Sequence, residues 1–181
     1  MIPYGACDRR GGSVAVGGEQ VDLLDRLLGH DRWTTARFLE LSGGLTDAQL
    51  DRPFDLGHRT LRETFAHMSG CVEFWTAAMT GQPVVGPGDD RSLAALLERH
   101  QRAYATFAVF ARRVRDEQRL DDAFADPDDA DIRLTFGGAI IHVVQHNAQH
   151  RGEALHMLER LGVPDLPEGN PLEWELLTTS S

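Results

Sequence analysis

A chain of 181 residues, 41% hydrophobic and 25% charged, has the size and balance of one globular domain. It can bury a core without covalent staples, and two cysteines, Cys7 and Cys71, exclude a disulfide-rich secreted scaffold. Its 28 acidic residues face 18 basic ones, all arginine, for a formal charge of −10. Nucleic-acid binding is therefore not expected, and the absence of lysine excludes Schiff-base and Walker-type phosphate-loop chemistry.

No run approaches ~18 apolar residues, so no transmembrane helix and no membrane partner are expected. After Arg9-Arg10 the only apolar run is Val14-Ala15-Val16, too short for a signal peptide. A cytoplasmic protein is the expectation.

Residues 1–18 are glycine-rich without apolar period and read as a flexible leader before a domain spanning 19–181. From Gln20 a helical pattern places Val21, Leu24, Leu28, Thr35 and Phe38 near one face, ending at Ser42-Gly43-Gly44. Thr46 to Gln49 has the form of a capping box that opens a short turn, stopped by Pro53. Thr60 and Glu63 form a second such box before Leu61, Phe65, Met68, Val72, Trp75 and Met79, whose 4-3-4-3-4 spacing is a bundle seam.

Gly81 to Gly88 reads as a loop. A third long helix from Ser92 buries Leu93, Leu96, Leu97, Tyr104, Phe107, Phe110 and Val114. Asp121 to Asp131, with six aspartates, reads as a solvated loop, with a short extended piece at Ile132 to Leu134. The fourth long helix spans Thr135 to Leu161 and faces inward with Ile140, Val143, Val144, Leu155, Leu158 and Leu161. Gly162 and Pro164 stop it. Beyond it lies a C-terminal tail with Leu172, Trp174 and Leu176. Four long amphipathic helices make an all-α four-helix bundle.

Three histidines recur at intervals of four: His142, His146 and His150. With eight histidines in the chain, chance gives such a triple about 0.015 times. Residues four apart share one helix face, so two imidazoles can grip one cation. All three cannot, because His142 and His150 are separated by ~12 Å along the axis while a metal–imidazole bond spans only ~2.0–2.1 Å. The pair is 142/146 or 146/150, and a third ligand must come from another helix. His67, one position from the seam of the second helix, is the best candidate. His30, His58, His100 and His156 read as surface or capping residues.

Other metal motifs fail. Asn147 stands where a zincin needs its glutamate, and only Glu153-Ala-Leu-His156 fits the pairs a ferritin-like di-iron centre requires. Cys71, one turn after His67, reads as a small buried hydrophobe.

The segment His146-Asn-Ala-Gln-His150-Arg151-Gly152, continuing through Leu155, Met157-Leu158, Leu161-Gly162 and Pro164, resembles the fourth-helix signature of the DinB/YfiT-like metalloenzyme family. Thr60 to His67 followed by Glu73-Phe74-Trp75 is similar to that family's first metal-ligand segment, and Leu27 to Trp33 resembles its first helix. The likeness covers roughly residues 20–176. It implies a four-helix bundle of up-down-down-up topology in which His67, His146 and His150 hold a divalent metal, zinc or nickel. His142 is then left beside the site, and Glu153 stands where relatives often carry glutamine.

The resemblance further implies a metal-dependent transferase that activates a low-molecular-weight thiol for transfer to an electrophile. A non-catalytic metal-binding or stress-associated bundle and a metal-dependent hydrolase are the alternatives. Asp31, Glu63, Glu73 and Glu153 are candidates for a general acid or base. A homodimer is expected, partly from the family and partly because Ala105, Ala108 and Val109 widen the apolar band of the third helix. The other cover for that band would be the tail.

Overall fold

The computed structural model of the chain describes residues 21–84, 86 and 88–179; the leader expected at 1–18 lies outside them. Helix α1 (Leu23–Leu41) begins later than the apolar pattern suggests, because the Asp22 carboxylate caps it by accepting from the Asp25 N–H at 2.9 Å. Val21 is left exposed before it. The short α2 (Asp47–Leu50) carries the full capping box, with Thr46 and Gln49 satisfying each other's backbone N–H.

In α3 (Leu61–Thr80) only half of the expected box forms. Thr60 accepts from the Glu63 N–H at 3.1 Å, but the Glu63 carboxylate turns away to pair with Arg91. A guanidinium competes successfully for it. Helices α4 (Leu93–Asp116) and α5 (Phe136–Arg160) start at Ser92 and Thr135, whose hydroxyls cap their first turns.

The acidic segment is more ordered than a solvated loop. Strands β1 (Ala123–Ala125) and β2 (Arg133–Thr135) pair antiparallel, with Phe124 opposite Leu134. Phe124 stacks on Phe136 at 5.5 Å, which anchors the hairpin to α5. A three-residue strand dominated by one aromatic leaves too short a period to read from sequence.

Side-chain pairs give the sense of each helix. Arg91 meets Glu63 and Arg99 meets Glu73, so α4 runs parallel to α3. Arg115 meets Asp22 while Tyr104 meets Asp31, so α4 is antiparallel to α1. His67 meets His146 and Trp75 meets His142, so α5 is antiparallel to α3. The chain is an all-α bundle, and none of its described helices is long and apolar enough to cross a membrane.

The core divides into two apolar clusters. One gathers Leu28, Val72, Tyr104, Phe107, Val114 and Val143; the other gathers Phe38, Phe65, Met68, Leu96, Ala154 and Leu158. Between them, at the waist, each long helix contributes buried polar groups: Asp31 and Thr34 from α1, Ser69 from α3, His100 from α4, Asn147 and Arg151 from α5. Asp31 pairs with Arg151 and accepts hydrogen bonds from the Tyr104 hydroxyl and from Asn147 Nδ2 (3.2 Å). Burial lowers Arg151 only to about 10, so the guanidinium stays charged at neutral pH and needs that carboxylate.

The tail forms α6 (Pro171–Thr179), which packs on α1. Trp174 fills the space above Gly29, where a Cβ would stand 2.7 Å from the ring. Leu172 and Leu176 point outward; of the residues expected to widen the band of α4, Ala108 is buried in the core, while Val109 stays 67% exposed and is not covered by the tail.

Candidate metal centre

Two antiparallel helices bring distant histidines together at the polar waist. His67 lies two turns into α3, and His146 and His150 occupy one face of α5. The Nε2 of His146 is 3.2 Å from that of His67 and 3.3 Å from that of His150. Imidazoles bound at ~2.0–2.1 Å to one tetrahedral ion have nitrogens about 3.3–3.4 Å apart, so both distances suit His146 sharing a divalent cation with its neighbour.

Behind His150 the partner fits as well, whereas His146 Nδ1 is buried without one. His150 Nδ1 lies 2.7 Å from Glu153 Oε2, one turn on. A proton held there leaves the Nε2 lone pair facing the other two rings, the arrangement seen behind most metal-bound histidines. Glu153 is itself confined: a Cβ on Gly57 would stand 2.1 Å from its Oε2, and Gly57 has φ +45°. Only glycine suits both the backbone and the space. The Glu153 carboxylate therefore orients the His150 ring.

The electrostatics favour the uncharged form of three rings, His67, His146 and His58. His67 is lowered to about 4, chiefly by burial and then by the neighbouring His58, His150 and His146. His146 and His58 are lowered as well, again mainly by burial and next by His150. Uncharged imidazoles at neutral pH offer lone pairs to a cation.

A fourth ring belongs to this cluster, and the sequence reading missed it. His58, expected at the surface or as a cap, stacks on His67 with centroids 3.7 Å apart and lies 5.0 Å from His150. His58, His67 and His150 each place a ligand nitrogen within 4.8 Å of the others, a grouping able to hold a metal ion. His58 sits outside any helical period, in the turn before α3, so spacing gave no sign of it. The one available signal was Gly57 beside it.

The remaining histidines and acids sort by position. His142 is exposed, 5.1 Å from the Trp75 ring and 5.6 Å from His146. His156 is exposed as expected, whereas His30 and His100 are buried. His30 Nε2 contacts the Gly169 carbonyl and His100 Nε2 the Arg32 carbonyl, so each ring buys its burial with a backbone acceptor.

Of the four acids, Glu153 alone touches a ring of the centre. Asp31 is sealed against Arg151, Glu63 pairs with Arg91, and Glu73 takes a two-pronged contact from Arg99 at 2.6 to 3.1 Å. Cys71 is buried as expected, and burial pushes its thiol up to about 12, so it is no nucleophile. His58 and His67 line one part of a cleft of about 1280 Å³ between α3 and α4, whose walls include Glu73, Thr76 and Arg99. A small molecule entering that cleft reaches the rings of His58 and His67.

Fold and site together define a class: a helical bundle with a histidine cluster at its waist, suited to a divalent metal and open to a cleft. The family model of the DinB superfamily matches residues 30–154, a span that includes His67, His146, His150 and Glu153. The chain belongs to the DinB superfamily. No match was found among curated proteins.

Proposed function

We propose that this protein is a metal-dependent enzyme in which His67, His146 and His150 hold zinc or nickel, and that it transfers a low-molecular-weight thiol to an electrophile. The observation that carries the reading is the 3.2 and 3.3 Å spacing of three Nε2 atoms contributed by two antiparallel helices. A divalent ion with an open coordination position supplies the acidity that converts a thiol into a thiolate near neutral pH.

The chain's own residues do the rest. Glu153 fixes the ring orientation of His150, and the buried Asp31–Arg151 pair with Asn147 holds the rotation of α5 that presents His146 and His150. The cleft admits the substrates, with Arg99 held rigid by Glu73 in its wall. Two apolar clusters flank the waist and limit water on the inner side of the rings.

The test is metal content of protein purified without added metal, joined to a screen of small thiols against electrophiles. One divalent ion per chain is expected, lost in His146→Ala and kept in His142→Ala, with conjugation in holo-protein only. Equal loss in both variants overturns the ligand set. Stoichiometric metal with no metal-dependent rate across the screen favours a non-catalytic metal-binding bundle.

A further inference from the structure

We infer that His58 is a fourth, displaceable imidazole donor to the ion held by His67, His146 and His150; the inference rests on that three-histidine reading. The turn before α3 is built to present this ring. Gly57 and Arg59, on either side of His58, both have positive φ, +45° and +69°. For arginine that conformation is strained, so the surrounding structure has to hold it.

The hydrogen bonds that hold it are local. The Phe54 N–H donates to the Arg59 carbonyl at 2.6 Å, the Arg59 N–H to the Leu56 carbonyl at 2.8 Å, and the Thr60 N–H to the His58 carbonyl at 2.9 Å. Phe54 is in turn buried in the core beside Leu50 and Leu61. Gly57 lies against Glu153, so the same turn touches the carboxylate that orients His150. A surface histidine needs none of this.

The ring's position completes the argument. It stacks on His67, both rings line the cleft, and a nitrogen of His58 lies within 4.8 Å of nitrogens of both His67 and His150. A modest side-chain rotation closes that gap to the roughly 3.3 Å of two donors on one ion. Three rings come from rigid helices and the fourth from a turn, so the fourth is the one that can leave. A ligand entering the cleft reaches His58, which lines it with His67, whereas His146 and His150 do not.

The experiment counts imidazoles on the bound metal by X-ray absorption of the zinc-loaded full chain, alongside zinc affinity by chelator competition. Wild type is expected to show four nitrogen donors of imidazole type. His58→Ala is expected to show three, with zinc stoichiometry kept and affinity lowered at least roughly tenfold. Adding 2-mercaptoethanol to wild type should replace one imidazole by one sulfur. Three imidazoles in thiol-free wild type overturn this inference alone, whatever the variant does. Failure of wild type to bind zinc overturns the three-histidine reading with it, and His142→Ala, expected to keep four, shows that the count reports on His58.

Discussion

Removing the Asp31 carboxylate tests whether the polar waist holds the bundle together. Asp31 is fully buried and faces Arg151, itself 5% exposed, while Tyr104 and Asn147 donate to it. Asp31→Ala leaves a buried guanidinium unpaired, a loss of roughly 3–5 kcal/mol. For a domain of this length each kcal/mol lowers Tm by about 2–4 °C, so a fall of roughly 6–20 °C is expected. Chemical denaturation monitored by helical circular dichroism gives the free energy directly.

Replacing both charges, as Asp31→Leu with Arg151→Met, should recover most of the loss, since the cost lies in the widowed charge. Because Asn147 and Arg151 alternate with His146 and His150 along α5, zinc affinity should weaken in the single variant. A stability change below about 1 kcal/mol for Asp31→Ala would refute the reasoning. So would a double variant as unstable as the single one.

Glu153→Ala and Gly57→Ala should each weaken zinc binding on the order of 10- to 100-fold without abolishing it, measured by chelator competition, because both free the His150 ring. Unchanged affinity in both would show that the carboxylate orients nothing. His100, lowered to about 4 by burial, is neutral in the fold but protonated below about pH 6.5 once unfolded. Its folded pKa is depressed, so its contribution is present in full above pH 6.5 and lost as pH falls toward 4, about 3 kcal/mol in all. His100→Gln should flatten the stability profile across that window; an identical slope would contradict it. The exposed Val109 band of α4 predicts a homodimer, so light scattering should give twice the chain mass of 20.0 kDa, and the single mass would end that proposal.

Local signals in the sequence were enough for the four long helices, because periodicity, hydroxyl caps and glycine stops act within a few residues, although α1 starts at an Asp22 cap the pattern did not give. That two of His142, His146 and His150 share a face was legible for the same reason, but spacing left 142/146 and 146/150 equally open, and it is the fold that brings His146 and His150 together beside His67. His67 was legible as a histidine out of place beside a seam. Tertiary structure decided the rest. His58 joins the cluster through a turn whose geometry depends on Phe54, Arg59 and the space Glu153 leaves at Gly57, none of which has a period. Asp31, a candidate acid by type, became a structural anion because α5 brings Arg151 against it across the bundle. Glu63 left its capping box because the loop before α4 delivers Arg91. In each case a contact between residues distant in sequence outweighed the local preference, and the free energy of burying or pairing a charge is what settled it.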